Sequence, residues 1–273
     1  MESTFFKIEI DGPVGILTMN RPEKANGMSP DFWKDLPRLV RELDADPKIR
    51  ALVLAGEGKH FTGGMDLSSF NDIAEVTKGE PARAAYALRK VILKLQDSFN
   101  ALEEARFPVI AAIQGACLGA GIDMTSACDI RLCSKDAYFG IEEIHIGMTA
   151  DVGTLQRLPK LIAPGIVKEL TYTGRRFSPE EALSWGFVNS IQSDHASTLA
   201  AARELAHLIA VKSPIAISGA KKALDYARDH SVTDGLDQIA TWNAAMLRPE
   251  ELMTALQAKM AKKEAVFADL IAG

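Results

Sequence analysis

Apolar and polar residues alternate from Phe6 to Ile10, break at Asp11-Gly12-Pro13, and resume as a nearly continuous apolar run from Val14 to Met19. This order predicts a β-hairpin at the start of a sheet, because strand side chains point alternately to two faces and the Gly-Pro pair supplies a turn. A helical period follows, with Phe32, Trp33, Leu36, Leu39, Val40 and Leu43 on one face. Ser29 stands at its cap position, Pro30 opens it, Asp44-Ala45-Asp46-Pro47 ends it, and Pro37 predicts a kink. Arg50 to Gly56 has the run of a buried strand, and the Gly63-Gly64 pair beyond it either makes a plain turn or lets backbone approach a ligand.

From Asn71 to about Arg83 the chain is polar and mixed, which predicts a mobile loop. A long helix to about Ala105 follows, with Leu88, Val91, Ile92, Leu95, Phe99 and Leu102 as its inner stripe. Pro108 to Ile113 is apolar again, Gly115 to Gly121 is a turn of small residues, and a helical pattern runs on through Met124, Ala127 and Cys128. Short helices are expected at 153–160 and 165–173. Ser178-Pro179-Glu180-Glu181 combines a cap, a proline and an acid three residues past the cap. The sheet ends near Phe187 to Ile191. Helical patterns then cover 196–211, 214–228, 233–247 and 249–268 with no strand among them. The expected division is an α/β core over 1–194 carrying the active site and a helical region over 195–273. The stripe Leu199, Ala202, Leu205 and Ile209 is broad enough to bury against the core or against another copy of the chain.

The 273 residues are 47% hydrophobic and 25% charged, ample for a core. A formal charge of −5, from 36 acids and 31 bases without long runs, suggests neither nucleic acid nor an anionic membrane as partner. No signal-peptide pattern and no run of membrane-spanning length is read, so a cytoplasmic protein is the default expectation. Cys117, Cys128 and Cys133 lack paired spacing and are expected as buried thiols.

The chemistry concentrates between Pro108 and Asp151. A helix starting near Ala120 leaves main-chain N–H groups unpaired, where a carbonyl oxygen developing negative charge would be stabilised; tight helix-sheet packing also explains small residues there. Asp123, Glu143 and Asp151 lie among apolar neighbours, which raises carboxylate pKa values toward the range useful for proton transfer, although each alone could be a cap or an ion-pair partner. The dinucleotide fingerprint, the phosphate-binding loop and the serine-hydrolase elbow are not matched, and neither a metal-ligand set nor a nucleophile paired with a base is seen. Acid-base proton transfer is the chemistry left.

Gly63-Gly64-Met65-Asp66-Leu67, followed by Gly119-Ala120-Gly121, resembles the crotonase (enoyl-CoA hydratase/isomerase) superfamily, and the similarity runs from the Asn20-Arg21-Pro22 loop to the C-terminal helices. The resemblance implies a spiral of ββα units with a C-terminal helical trimerisation region. It also implies an oxyanion hole from the backbone N–H groups of Met65 and Ala120 for an acyl-CoA thioester. Asp123, Glu143, Asp151, the phrase Ala150 to Pro159 and Arg228-Asp229-His230-Ser231-Val232 are most similar to the dienoyl-CoA isomerase branch, which moves double bonds in fatty acid β-oxidation. The family's hydratases carry glutamate where Asp123 stands. The shorter acid with a third one added therefore suits proton shuttling by Glu143 and Asp151 better than water activation. The alternatives are an enoyl-CoA hydratase of the same superfamily and a non-catalytic acyl-CoA-binding subunit.

By the same resemblance, Arg21, Lys24, Ala25, Gly63, Gly64, Asp66, Leu67 and Gly121 bind the substrate and its CoA, with Lys259, Lys262 or Lys263 of a neighbouring subunit as further cations. No cofactor beyond the CoA of the substrate and no metal is implied. The expected assembly is a homotrimer, or a hexamer made as a dimer of trimers.

Overall fold

The computed structural model describes residues 1–66, 68–69 and 75–271. The hairpin forms as β1 (Phe6–Asp11) and β2 (Val14–Met19), and a 3-10 turn at Pro22–Lys24 leads into α1 (Pro30–Ala45). Ser29 occupies the cap position of α1, but its hydroxyl makes no capping hydrogen bond. The helix runs on through Pro37, which has no N–H to offer the Trp33 carbonyl. The Ser98 hydroxyl takes that place, donating to Trp33 O at 3.2 Å.

After β3 (Ala51–Gly56) come α2 (Pro81–Glu104), β4 (Val109–Ile113), β5 (Ala116–Leu118), α3 (Ala120–Ser126), β6 (Ile130–Ser134) and β7 (Tyr138–Gly140). The predicted loop from Asn71 lies partly outside the described residues. The order β4-β5-α3 repeats the strand-strand-helix order of β1-β2-α1, and β6-β7 followed by α4 (Thr154–Leu161) repeats it again. Then follow α5 (Pro164–Thr173), α6 (Pro179–Ser184), β8 (Ser190–Gln192), α7 (His195–Ala210), α8 (Pro214–Asp229), α9 (Val232–Met246) and α10 (Pro249–Met260). Ser178 and Glu181 close the expected capping box at α6. The last helix is shorter than its pattern, α10 ending at Met260 instead of Ala268.

The main sheet has the order β1-β2-β3-β4-β6-β8, parallel throughout except for the β1-β2 hairpin, and β5 and β7 pair in a separate two-stranded sheet. Both faces of the sheet are covered at β2, β3 and β4, which is why these strands read as apolar runs, whereas the edge strand β1 alternates. Leu52 and Leu54 point toward α1 and α2, packing with Phe32, Leu36, Phe99 and Leu102. Ala51, Val53 and Ala55 point the other way, to a second core with Leu199, Ala202, Leu205 and Ile209 of α7. The C-terminal stripe therefore buries against the core, and α7 belongs with the sheet. α9 and α10 contain no buried residue, and they expose Leu236, Met246, Leu252 and Met253, with Leu247 exposed between them. The three cysteines are buried and unpaired by disulfides. Among the described residues, no helix is long and apolar enough to cross a membrane.

Candidate active site

Parallel strands end on one side of a sheet, and the chain segments leaving those ends build the site. Beyond β3, residues 57–64 are pinned from several directions. The buried Asn26, left-handed at φ 50°, donates from its side-chain amide to Glu57 O at 2.9 Å and His60 O at 2.8 Å. Gln114 donates to Gly56 O at 2.7 Å. Thr62 pairs with the strand of Cys117, its N–H bonded to Ala116 O at 2.9 Å and its carbonyl accepting from Leu118 N at 3.2 Å.

These bonds bring the glycine pair against the small-residue turn. A methyl built on Gly64, at φ +93°, would lie 2.8 Å from the Leu118 carbonyl oxygen and 3.6 Å from the Ala120 nitrogen. Gly119, at φ 51° and ψ −121°, turns the chain from β5 into α3 in a conformation that only glycine adopts without strain. Ala120 is the first residue of α3, so its N–H has no intrahelical acceptor. Met65 sits in a bridge with Met28 in which Met28 bonds to Gly64 O and Asp66 bonds to Met28 O, leaving the Met65 N–H outside the pairing. Neither N–H finds an acceptor among the described residues.

Both residues line one cavity of about 230 Å³, together with Gly63, Gly64, Gly119, Glu142, Glu143, Ile146, Asp151 and Val152. Glu143 starts the short 3-10 turn after β7, and its Oε1 lies 3.3 Å from a methyl built on Gly119. Asp123 is fully buried behind the cavity, its Oδ1 accepting the Thr154 N–H at 2.5 Å. Asp123 Oδ2 and Glu143 Oε2 are buried without a partner among the described residues. Burial pushes the Asp123 carboxyl up to about 7, and the Glu143 charge pushes it in the same direction. Glu143 is raised by burial and by the neighbouring charges of Asp151 and Glu142. Asp151 is raised by burial. Three acids distant in sequence thus share one electrostatic environment in which none is held in its ordinary range.

The remaining expected residues divide. Gly63 and Gly64 line the cavity, whereas Gly121 packs beneath it, a methyl there falling 2.6 Å from Thr62 Cγ2. Arg21 is engaged within the chain, donating to Asp66 Oδ2 at 3.0 Å and Gly27 O at 2.9 Å. Asp66 is held down to about 2 by the Ser68 N–H and hydroxyl and by Arg21. Ala25 accepts the Gly63 N–H at 2.7 Å, and Lys24 beside it is exposed. Lys259, Lys262 and Lys263 are exposed at the end of α10, and Leu67 lies outside the described residues. Residue patterns missed His145 and Met148 in the cavity wall, Asn26 behind the glycine loop, and Gln96, whose amide donates to Asp151 O at 2.7 Å. Polar residues on otherwise ordinary helix and loop faces carry no periodic signal. A second cavity of about 210 Å³, lined by Trp33, Met65, Val91 and Leu95 with Lys34 and Lys94, meets the first at Met65.

Two free main-chain donors facing raised carboxylates across a small cavity are the apparatus of an enzyme that stabilises an oxyanion while moving protons. The family profile described as enoyl-CoA hydratase/isomerase matches residues 9–269, and the chain belongs to that family. Within it, the chain is 45% identical to the mitochondrial Delta(3,5)-Delta(2,4)-dienoyl-CoA isomerase of Rattus norvegicus, over 90% of this chain and 76% of the rat one. It is 41% identical to the peroxisomal Delta(3,5)-Delta(2,4)-dienoyl-CoA isomerase of Arabidopsis thaliana, over 95% and 94% of the two chains. The crystal structure of an enoyl-CoA hydratase from Bacillus anthracis superposes with a TM-score of 0.86 at 28% identity, covering 97% of this chain and 99% of that one.

Proposed function

We propose that the protein is a dienoyl-CoA isomerase that converts a 3,5-dienoyl-CoA to the 2,4-dienoyl-CoA in fatty acid β-oxidation. The observation that carries this reading is the placement of Glu143 and Asp151 on one cavity with the Met65 and Ala120 N–H groups, both carboxyls raised and Asp123 buried behind them. Identity of 45% and 41% to isomerases of that name supports the substrate.

The thioester oxygen accepts hydrogen bonds from the Met65 and Ala120 N–H groups, which acidifies C2. One carboxylate takes a proton from C2. The electron pair moves into the conjugated chain, so that charge spreads over the thioester oxygen, C2, C4 and C6. The other carboxyl group delivers a proton to C6, leaving double bonds at C2 and C4. One proton leaves the substrate, one enters, and no electrons are exchanged, so the reaction as written needs no cofactor beyond the CoA of the substrate. Glu143 and Asp151 form a coupled pair, and the order of their roles belongs to the pair. Asp123 tunes that pair from behind.

The acyl tail continues past Met65 into the apolar cavity of Trp33, Val91 and Leu95. Lys24, with Arg21 at its side, meets the CoA phosphates, joined by Lys259, Lys262 or Lys263 from a neighbouring copy. The exposed apolar residues of α9 and α10 support a homotrimer or a dimer of trimers, which sedimentation of the purified protein measures. The cytoplasmic assignment is likewise a proposal, since the rat and Arabidopsis relatives are named mitochondrial and peroxisomal.

The test supplies purified protein with 3,5-dienoyl-CoA and, separately, 2-enoyl-CoA. Growth of the conjugated 2,4-dienoyl chromophore faster than hydration is expected. Faster hydration transfers the site to the hydratase reading, and tight acyl-CoA binding without turnover of either transfers it to a binding subunit.

A further inference from the structure

Asp151 must hold its carboxyl in place although that carboxyl is half-buried and bonds to no other side chain among the described residues. Its position is therefore set by its backbone. The segment from Gly147 to Gly153 begins with a left-handed glycine, φ 73°, and ends with another at φ 135°, with Ala150 and Val152 buried on either side of Asp151. Among the described residues, no side chain of another residue bonds its backbone except Gln96, whose amide nitrogen donates to Asp151 O at 2.7 Å.

Gln96 is one member of a polar stripe on α2. Asn100 and Glu103 follow at helical spacing on the same face, and both hold Arg157, with Nη2 at 2.6 Å from Asn100 Oδ1 and 2.7 Å from Glu103 Oε2. The Arg157 guanidinium lies over Gly153, where a methyl would come within 2.1 Å of Nη1. Arg228 bonds Glu103 from the opposite side. Burial alone would raise the Glu103 carboxyl, but the two arginines hold it below its usual range. The stripe is thus a charged anchor at Glu103, a clamp on Gly153 through Arg157, and a neutral contact at Gln96 that reaches the residue bearing the acid.

We infer that Gln96 is a positioning residue for the reaction: through its hydrogen bond to the Asp151 carbonyl it orients the Asp151 carboxyl toward the substrate chain. A neutral amide suits this task, since a charged side chain so close would bias the titration of the acid it positions. The inference rests on the reading of Asp151 as a proton-transfer group.

The test is Gln96→Leu, with Gln96→Met as a second variant of near-native length if the first fails to fold. Both remove the donor and keep the apolar stem. Gln96 itself lines neither of the two cavities, so kcat for 3,5-dienoyl-CoA is expected to fall roughly tenfold with KM changed less than twofold, the cost of a misplaced group. In an Asp151→Asn background the same change should alter the residual rate less than twofold, because nothing remains to be positioned. Wild-type kcat in both Gln96 variants overturns the inference, as does an equal fold-loss in the two backgrounds, which marks a general structural role. If Asp151→Asn alone keeps the full rate, the reading of Asp151 fails instead, and the inference falls with it.

Discussion

Replacing Gly64 with alanine tests the oxyanion hole through a contact that neither donor makes directly. The new methyl would lie 2.8 Å from the Leu118 carbonyl oxygen, against the roughly 3.3 Å at which carbon and oxygen normally meet. The oxygen is backbone and the methyl is fixed rigidly to backbone, so no flexible side chain can absorb the overlap, and the Gly64-Met65 and Leu118-Ala120 segments must separate by about half an ångström. Oxyanion donors act within roughly 2.7–3.1 Å, and a shift of that size disengages one of them. Losing one donor costs about 3 kcal/mol in the barrier, or about a hundredfold in kcat. The assay follows the conjugated 2,4-dienoyl product at saturating 3,5-dienoyl-CoA. Gly12→Ala is the control, since Gly12 is also left-handed, φ +57°, but has nothing within 4 Å of the added methyl. It pays the backbone strain of about 1–2 kcal/mol in stability and keeps its kcat. A Gly64→Ala enzyme within threefold of wild type would refute the convergence of the two donors.

Asp123→Asn should stabilise the protein, with a defined pH dependence. Burial raises this carboxyl from 3.8 to about 7, so the penalty for charging it in the folded state is absent below about pH 4, grows between those values, and is complete above about 7. The gap corresponds to about 4 kcal/mol, and asparagine still offers an oxygen to the Thr154 N–H. Melting temperatures should favour the variant at about pH 8 and converge near pH 4; a constant offset contradicts the argument. Leu95→Trp should fill the cavity beside Met65 and reduce kcat/KM for long dienoyl thioesters at least tenfold relative to short ones, whereas uniform losses across chain lengths place the tail elsewhere. Lys221 is buried and bonds Asp129 at 2.9 Å, Leu102 O and Phe107 O at 3.1 Å each, so Lys221→Ala should cost about 3–5 kcal/mol in denaturant unfolding; a loss below 1 kcal/mol would show that water takes its place.

Long periodic segments were legible in the sequence for a direct physical reason: burial of one face of α1, or both faces of β3, leaves a repeating apolar pattern. The strands β5 and β7, three residues each, are too short to leave one, so β5 was read as part of the small-residue turn and β7 went unread. The site was legible where acids stood in apolar company, at Asp123, Glu143 and Asp151. Their convergence depends on Gly119 and Gly153 and on main-chain bonds that carry no residue signature. The engagement of Arg21 with Asp66 was hidden for the opposite reason, since an exposed-looking cation beside a proline loop gives no hint of a partner on another segment. The residues that fix the geometry, Asn26 and Gln96, are neutral amides whose importance lies in the backbone atoms they reach.

The central claim is that a carboxylate pair carries the double-bond shift, and Asp151 is the member that the hydratase reading does not require. Asp151→Asn keeps the shape of the side chain and the carbonyl bonded by Gln96 but removes the exchangeable acid. The isomerisation rate of this variant on 3,5-dienoyl-CoA is predicted to fall below a tenth of wild type, a barrier increase of more than about 1.4 kcal/mol, with substrate binding retained. A rate above a tenth of wild type would contradict the account.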